Sequence, residues 1–324
     1  MVPSGDELLQ RADMLAKHGR SVEAITLLEQ QLVLGNARAG AVLAAWYLAG
    51  KLVKRDLGRC REVLGRACAL GAHELEPAYI ALLANGAGGS GRRWQDALER
   101  LAERGKSGAG ARVERTLLGK MAIDQCGDPV SQLESNQLYS MPTIEEFPAF
   151  MTEEECRYLC EVVQPILTPA TVGDPRTGKN VLDPVRKART AAFPFIAESP
   201  FIHAINRRIA SATRTTYEQG EPLQVISYGV GDEFKLHSDA IANCGNQRKL
   251  TFLVWLKADF TGGETEFPRL GLSLRGKPGD GIAFTNTDAS GQPDPMAWHA
   301  GLPVTGGHKL MLSKWIRTHP IDLD

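Results

Sequence analysis

The sequence predicts a multidomain α + β protein, in which a helical N-terminal region precedes a β-rich domain of the sandwich or jelly-roll kind. Residues 6–125 are rich in Ala, Leu, Glu and Arg at helical spacing, with few β-branched or aromatic residues. From residue 223 onward, short apolar segments alternate with Gly-rich turns, which is typical of an antiparallel sandwich. The chain has 324 residues, which is longer than one typical domain.

Composition narrows the class of protein. Hydrophobic residues make up 43% of the chain and charged residues 23%, as in ordinary globular proteins. A formal net charge of -1 gives no reason to expect a nucleic-acid partner or a membrane surface. The N-terminus has neither the basic flank nor the apolar core of a secretory signal, and no apolar run approaches the roughly 20 residues that span a bilayer. We therefore expect a cytoplasmic protein.

The helical region has an internal repeat. Helices are predicted over residues 6–18 and 22–34, each followed by a glycine. Residues 45–50 (AWYLAG) and 81–86 (ALLANG) are similar and 36 positions apart, and Gly35 and Gly71 repeat that spacing. A period in the middle thirties is typical of stacked α-hairpins. The units resemble short tetratricopeptide repeats of the SEL type, with a plain helical bundle as the alternative. We assign residues 1–125 to an α-helical repeat domain that serves as a protein-interaction array.

The character of the sequence changes after this region. Residues 126–141 are predicted to be a linker, and residues 142–324 a second domain. Thr152 and Glu155 have the spacing of a capping box, which predicts a helix that runs to Val163. Five basic residues and one acidic residue lie between positions 176 and 189, so we expect this segment to face an acidic part of a substrate. Strands are predicted at 223–228, 250–256, 265–267, 282–284 and 309–315.

A metal site is indicated by His237, Asp239 and His299. In a strand, residues two apart point to the same face, so the first two side chains are expected to converge on one ion. Two imidazoles and one carboxylate suit Fe(II) with open positions for other ligands. Lys309 follows ten residues after the distal histidine, in a segment predicted to cross the core. A buried ammonium needs an anionic partner, and the remote carboxylate of 2-oxoglutarate would supply one.

Seven motifs, three of which contain these residues, occur in a consistent order. They are YGVG at 228–231, HSD at 237–239, RKLT at 248–251, GGETEFP at 262–268, GDG at 279–281, HAGLPV at 299–304 and KLMLSKWIR at 309–317. With them, residues 142–324 resemble the catalytic domain of the prolyl 4-hydroxylase branch of the Fe(II)/2-oxoglutarate-dependent dioxygenases. The resemblance implies a double-stranded β-helix core, with Fe(II), 2-oxoglutarate and O2 as reactants and ascorbate as an accessory reductant.

The resemblance also implies roles for individual residues. His237, Asp239 and His299 would bind iron. Lys309 would hold the distal carboxylate of 2-oxoglutarate, and Tyr228 would donate its hydroxyl to the same molecule. For Arg248 the resemblance implies a substrate-facing position at the mouth of the cleft, with a surface ion pair as the alternative.

One departure from the family pattern bears on specificity. Three residues before the first metal-binding histidine this branch usually has Tyr, whereas Phe234 stands here. The favoured function is hydroxylation of prolyl residues in a protein or peptide held by the helical repeats. The alternatives are a hydroxylase of a free amino acid or small metabolite, and a non-catalytic interaction protein. The complete set of metal ligands and Lys309 disfavour the last, and nothing in the sequence indicates the oligomeric state.

Overall fold

The computed structural model describes residues 5–173 and 180–322. Part of the basic segment predicted at 176–189 therefore lies outside the described residues. The helices are α1 Gly5–Lys17, α2 Ser21–Val33, α3 Ala37–Ala49, α4 Leu57–Ala69, α5 Glu76–Asn85, α6 Trp94–Ser107, α7 Ala109–Lys120, α8 Glu153–Val163 and α9 Pro200–Ala212. The strands are β1 Asn136–Ser140, β2 Thr143–Phe147, β3 Thr168–Pro169, β4 Thr171–Gly173, β5 Asn180–Leu182, β6 Arg186–Lys187, β7 Arg189–Phe193, β8 Leu223–Tyr228, β9 Glu233–His237, β10 Arg248–Gly262, β11 Thr265–Phe267, β12 Leu272–Leu274, β13 Gly281–Thr285, β14 His299–Gly301 and β15 Val304–Arg317.

The N-terminal region is helical, as predicted. Helices α1 and α2 match the predicted spans to within one residue. Gly50 and Gly86 end α3 and α5 in the left-handed conformation, which glycine adopts without the steric cost of a side chain. These two glycines have the predicted spacing of 36 positions. The assignment to SEL-type repeats stays a prediction. Within the described residues, no helix is both long enough and apolar enough to cross a membrane.

The C-terminal region forms antiparallel sheets. The larger sheet has eight strands in the order β1-β2-β13-β10-β15-β8-β7-β3. The smaller has five in the order β12-β11-β14-β9-β6, and β4 and β5 form a separate hairpin. This arrangement fits a jelly-roll domain, while the finer assignment to a double-stranded β-helix rests on the resemblance alone.

The predicted strands are all present, and three of them, β10, β13 and β15, are longer than expected. The longest pair, β10 and β15, runs side by side from Arg248 to Gly262, with register shifts that keep the two strands in contact through their bends. Lys309 was predicted to open its strand but lies in the middle of β15. The predicted capping box at the start of α8 is confirmed, because Thr152 and Glu155 exchange hydrogen bonds at 3.2 and 2.9 Å.

The helical region and the sheets share one hydrophobic core. Side chains of α5, α6 and α7, among them Leu83, Trp94 and Leu117, belong to the same buried cluster as Phe147 and Phe252 of the larger sheet. Helices α1–α4 instead pack mainly within a cluster of their own. The core thus crosses the predicted boundary at residues 126–141, and part of that predicted linker forms the edge strand β1.

Polar contacts also join the two regions. The buried Glu114 of α7 accepts a hydrogen bond from the backbone N–H of Phe201 at 2.8 Å and from the hydroxyl of Tyr158 at 3.3 Å. It thereby satisfies one of the free amides at the start of α9. The Asp128 carboxylate forms ion pairs at 2.5 Å with Arg92 of the helical region and with Arg207 of α9. These contacts connect α7 and the segment before α6 with α8 and α9 across the boundary.

Candidate metal and co-substrate site

Three side chains that the sequence predicted as metal ligands converge between the sheets. One ligand atom from each of His237, Asp239 and His299 lies within 4.8 Å of the others. His237 ends β9 and His299 begins β14, and the two are directly opposed across that strand pair. Asp239 lies beyond the end of β9, so the prediction that strand alternation aligns it with His237 was wrong in its reason. The turn after β9 brings its carboxylate to the two imidazoles.

Backbone carbonyls fix the orientation of both histidines. Nδ1 of His237 lies 2.7 Å from the carbonyl oxygen of Lys235, and Nδ1 of His299 lies 3.0 Å from that of Ala297. A carbonyl only accepts, so each Nδ1 carries a proton and donates it. Each Nε2 is therefore left with its lone pair toward Asp239, whose oxygens lie 3.6 Å from both Nε2 atoms.

Charge and burial favour the metal-binding protonation states. Burial lowers the pKa of His299 to about 4, against the opposing charge of Asp239, so this imidazole is neutral near pH 7. Burial alone would raise the pKa of Asp239, but its polar contacts with His237 and His299 and the hydrogen bond from Thr251 hold it well below its usual range. Asp239 is therefore an ionised carboxylate.

The residues fit a divalent metal ion. Among the described residues, Nε2 of His237 is one of the few buried side-chain nitrogens that lack a hydrogen-bond partner. Leaving such an atom buried and unpaired costs free energy, and a bound cation would remove that cost. Two imidazole nitrogens and one carboxylate are the donor set that suits Fe(II).

Two residues that the sequence analysis did not single out orient Asp239 through hydrogen bonds. The hydroxyl of Thr251 donates to Oδ2 of Asp239 at 2.6 Å, and the amide of Asn286 donates to the same hydroxyl at 2.9 Å. All three residues are buried. Thr251 ends the RKLT motif, which is a signal that the sequence offered, whereas Asn286 follows β13 and is brought to β10 only by the sheet pairing.

A cavity extends from the metal ligands between the two sheets. Residues from both sheets line it, including Tyr228, Phe234, Thr265, Lys309, Met311 and Trp315. The ring of Phe234 stacks on that of His237, with centroids 3.5 Å apart and planes 13° apart. The cavity wall beside this metal ligand is therefore apolar, where the family usually has a tyrosine hydroxyl.

Lys309 and Tyr228, which the resemblance assigns to the co-substrate, both line this cavity. They are opposed across β8 and β15, and Nζ of Lys309 lies 5.3 Å from the centre of the Tyr228 ring. Nζ donates to the carbonyl of Gly263 at 2.6 Å, which leaves it further hydrogens for a ligand. Burial lowers the pKa of Lys309 to about 8, so it remains mostly protonated at pH 7. Burial raises the pKa of Tyr228, which keeps its hydroxyl a donor.

Arg248 is not among the residues that line this cavity, but it stacks on one that is. Its Nε and Nη2 donate to the two oxygens of Glu221 at 2.6 and 2.8 Å. Its guanidinium lies 3.7 Å from the centre of the Trp315 ring, and Trp315 lines the cavity. The ion pair that the sequence analysis kept as an alternative is thus present, although the stacking also places Arg248 beside the cleft. His308 points away from the cavity to Ser227, at 2.8 Å.

The fold and the donor set together define a jelly-roll protein with a non-haem metal site. The model of the 2OG-Fe(II) oxygenase superfamily matches residues 223–317, a span that contains all three metal ligands, Lys309 and Tyr228. Prolyl 4-hydroxylase 1 of Arabidopsis thaliana is 35% identical over 187 residues, which cover 52% of this chain and 66% of the relative. Probable prolyl 4-hydroxylase 10 of the same plant is 32% identical, over 55% of this chain and 70% of the relative. The chain belongs to the prolyl 4-hydroxylase family of 2OG-Fe(II) oxygenases.

The extent of similarity differs among relatives. Prolyl 4-hydroxylase subunit alpha-1 of Gallus gallus is 32% identical over 58% of this chain, but the match spans only 37% of that subunit. The crystal structure of the viral collagen prolyl hydroxylase vCPH from Paramecium Bursaria Chlorella virus-1, in its 2OG complex, is 26% identical. It covers 54% of this chain and 96% of the viral chain, with a TM-score of 0.45.

Proposed function

We propose that this chain is an Fe(II)- and 2-oxoglutarate-dependent hydroxylase that acts on prolyl residues of a protein or peptide. The observation that carries the proposal is the convergence of His237, Asp239 and His299, with ligand atoms within 4.8 Å of one another, in a cavity that also holds Lys309. The names of the plant and chicken relatives support prolyl residues as the target.

Each residue has a defined task in this proposal. His237, Asp239 and His299 hold the metal, which with 2-oxoglutarate and O2 supplies the oxidative decarboxylation that yields succinate, CO2 and a hydroxylated substrate. Thr251 and Asn286 hold the Asp239 carboxylate in place. Lys309 binds the distal carboxylate of 2-oxoglutarate by a charge-assisted hydrogen bond, and Tyr228 donates to the same group. Arg248, fixed by Glu221, positions the substrate at the cleft mouth.

A hydroxylase of a free amino acid or small metabolite is the second candidate. Phe234 favours it, because this apolar ring stacked on His237 lacks the hydroxyl that usually stands in prolyl 4-hydroxylases. The complete donor set argues against a non-catalytic interaction protein. We further propose that residues 1–125 form a docking array, with the boundary to the catalytic region at 126–141. The proposal also includes a cytoplasmic location and ascorbate as the reductant.

The test uses the purified full chain with Fe(II), 2-oxoglutarate and air. Succinate release and a mass gain of one oxygen are measured on proline-containing peptides and, separately, on free L-proline and other amino acids. Oxygen addition to a peptidyl proline, abolished by removal of Fe(II), would uphold the first candidate. Addition to a free amino acid alone would favour the second. Absence of succinate under every condition, in protein shown to bind Fe(II), would contradict both.

A further inference from the structure

Arg186 lies on the edge strand of the five-stranded sheet, close to the metal ligands. Strand β6 pairs with β9, where Arg186 is directly opposed to Phe234. Opposed residues of an antiparallel pair extend to the same face, so Arg186 shares the face on which Phe234 lines the cavity. The guanidinium carbon lies 5.3 Å from the centre of the Phe234 ring, and that ring stacks on His237. One aromatic ring therefore separates this cation from a metal ligand.

The guanidinium of Arg186 has unused hydrogen-bonding capacity. The residue is only 9% exposed, and its Nε and Nη1 are buried without a hydrogen-bond partner. No other arginine within residues 5–173 and 180–322 has a buried side-chain nitrogen in that condition. Arginine stays protonated in proteins, so it cannot relieve this cost by losing its charge. Arg248 and Arg317, by contrast, both donate to Glu221.

The nearest carboxylate does not satisfy this arginine. Oδ2 of Asp183 lies 3.4 Å from Nε of Arg186, an ion pair without a hydrogen bond. The other oxygen of Asp183 accepts the backbone N–H groups of Val185 and Arg186 at 2.9 and 3.1 Å, which holds the turn before β6. Phe234 offers the guanidinium only the face of its ring, since it has no hydroxyl. The arginine is thus held in position with part of its donor fork free.

We propose that Arg186 binds a carboxylate of the substrate and so determines which substrates this enzyme accepts. The inference rests on the proposed hydroxylase function and deepens it. A guanidinium recognises a carboxylate through two parallel N–H donors, and a desolvated site strengthens that contact. Lys309, on the opposite sheet, binds the carboxylate of 2-oxoglutarate. Arg186 is therefore left to bind the carboxylate of the substrate. The substrate carboxylate is either an acidic side chain beside the target residue or the free α-carboxylate of a terminal or single amino acid.

The test measures binding of matched probes that differ by one charge. One pair is an amidated, fluorescein-labelled hexapeptide with Asp next to a central proline, and its Asn counterpart. The second pair is a labelled peptide that ends in proline, with a free carboxylate or as the amide. Dissociation constants are measured by fluorescence anisotropy with Fe(II) and 2-oxoglutarate under anaerobic conditions. Unlabelled L-proline as a competitor reports on a single amino acid.

We expect wild-type protein to bind the charged member of one pair about 10- to 100-fold more tightly than the neutral member, the range for a charge-assisted hydrogen bond. Arg186→Gln should lose this preference, and Arg186→Lys, which keeps the charge but not the fork, should keep only part of it. Lys187→Gln is the matched control. Lys187 is adjacent, basic and exposed. As the next residue of the strand it extends to the opposite face, where it pairs with Asp232 at 3.4 Å, so the preference should persist.

Two results would overturn the inference. Equal binding of both members of both pairs by wild-type protein is one. The other is an Arg186→Gln variant that weakens charged and neutral probes alike, which would mean that Arg186 only supports Phe234. Readmission of oxygen to the wild-type samples then tests the hydroxylase separately. Charge preference without succinate release would refute the proposed function but not the site, whereas succinate release without charge preference would refute the site alone.

Discussion

Thr251 donates its hydroxyl hydrogen to Oδ2 of Asp239 over 2.6 Å, and this carboxylate oxygen lies 3.6 Å from Nε2 of His299. The hydrogen bond links the centre of the larger sheet to a proposed metal ligand that follows β9 of the smaller one. Because Asp239 lies outside any strand, this bond fixes the carboxylate where backbone pairing cannot.

The first prediction concerns this contact. Thr251→Val, which keeps the shape but removes the donor, should lower the affinity for Fe(II) by about 10- to 100-fold, the usual effect of losing a group that orients a metal ligand. Anaerobic titration with Fe(II), and with Co(II) as a spectroscopic probe, measures the change. Thr251→Ser should recover most of the affinity. Wild-type affinity in the valine variant would show that the turn alone orients Asp239.

The second prediction concerns the three proposed metal ligands. His237→Ala, Asp239→Ala and His299→Ala should each abolish succinate production, because two remaining ligands hold the metal too weakly. Their melting temperatures should stay close to that of the metal-free wild-type protein. His308→Ala is the control, since its ring contacts Ser227 on the side away from the cavity. Full turnover by any of the three alanine variants would refute the site.

The third prediction concerns the buried ammonium group of Lys309. Lys309→Ala should raise the KM for 2-oxoglutarate by about 10- to 100-fold, since it removes one charge-assisted hydrogen bond. Iron binding should persist, because Lys309 is not a metal ligand. Steady-state kinetics and an Fe(II) titration measure the two effects. Arg317 is not expected to compensate, because Glu221 and the carbonyl of Asn246 already hold it at 2.6 and 2.7 Å. An unchanged KM would contradict the assignment.

The fourth prediction is a pH dependence. Burial lowers the pKa of Lys309 to about 8, against the opposing charge of Glu264. The co-substrate requires the protonated amine, so the affinity for 2-oxoglutarate should be constant below pH 8 and fall as the pH rises through it. Tyr228 stays neutral there, because burial raises its pKa. Binding measured between pH 6 and 9.5 should show the fall in wild-type protein but not in Lys309→Arg, whose side chain stays protonated.

The fifth prediction tests the division of the chain. A fragment of residues 135–324 should be insoluble or unfolded, because it lacks the α5–α7 side chains that bury Phe147 and neighbouring residues. It also leaves the amide of Phe201 without Glu114. A fragment of residues 72–324 is the matched control. It keeps α5–α7 and should remain folded at reduced stability, because α1–α4 pack mainly in a separate cluster. Circular dichroism and gel filtration compare the two, and a folded 135–324 fragment would show that the catalytic region is independent.

Much of the candidate site was predictable because its residues are close in sequence or carry distinctive motifs. The HSD motif and the distal His299 identify the proposed metal ligands, which the structure brings together, and the spacing of Lys309 identifies a cation on a buried strand. Arg186 was not predicted individually. Its position follows from pairing of β6 with β9, which are separated by a helix and two strands along the chain. Pattern arguments describe single elements and do not specify such partners.

The fold was predicted element by element better than as a whole. The strand Leu223–Tyr228 and the capping box of α8 depend on local alternation and local hydrogen bonds, which the sequence displays directly. The shared core between α5–α7 and the larger sheet depends on which apolar face of the helices packs against which face of the sheet. Trp94 and Leu101 are buried in the structure, and helical periodicity alone does not show that they pack in one cluster with α9 and the sheet.

The position of Asp128, paired at once with Arg92 and Arg207, has a consequence for how a long substrate would be selected. Asp128 lies in the chain segment that connects the two regions, and its ion pairs attach this segment to the helical region and to α9. The segment is therefore anchored and does not act as a free hinge. If the helices hold a polypeptide, its anchoring point lies at a fixed distance from the metal ligands. The enzyme would then measure length along its target, and a docking sequence moved by a few residues would present the wrong side chain for hydroxylation.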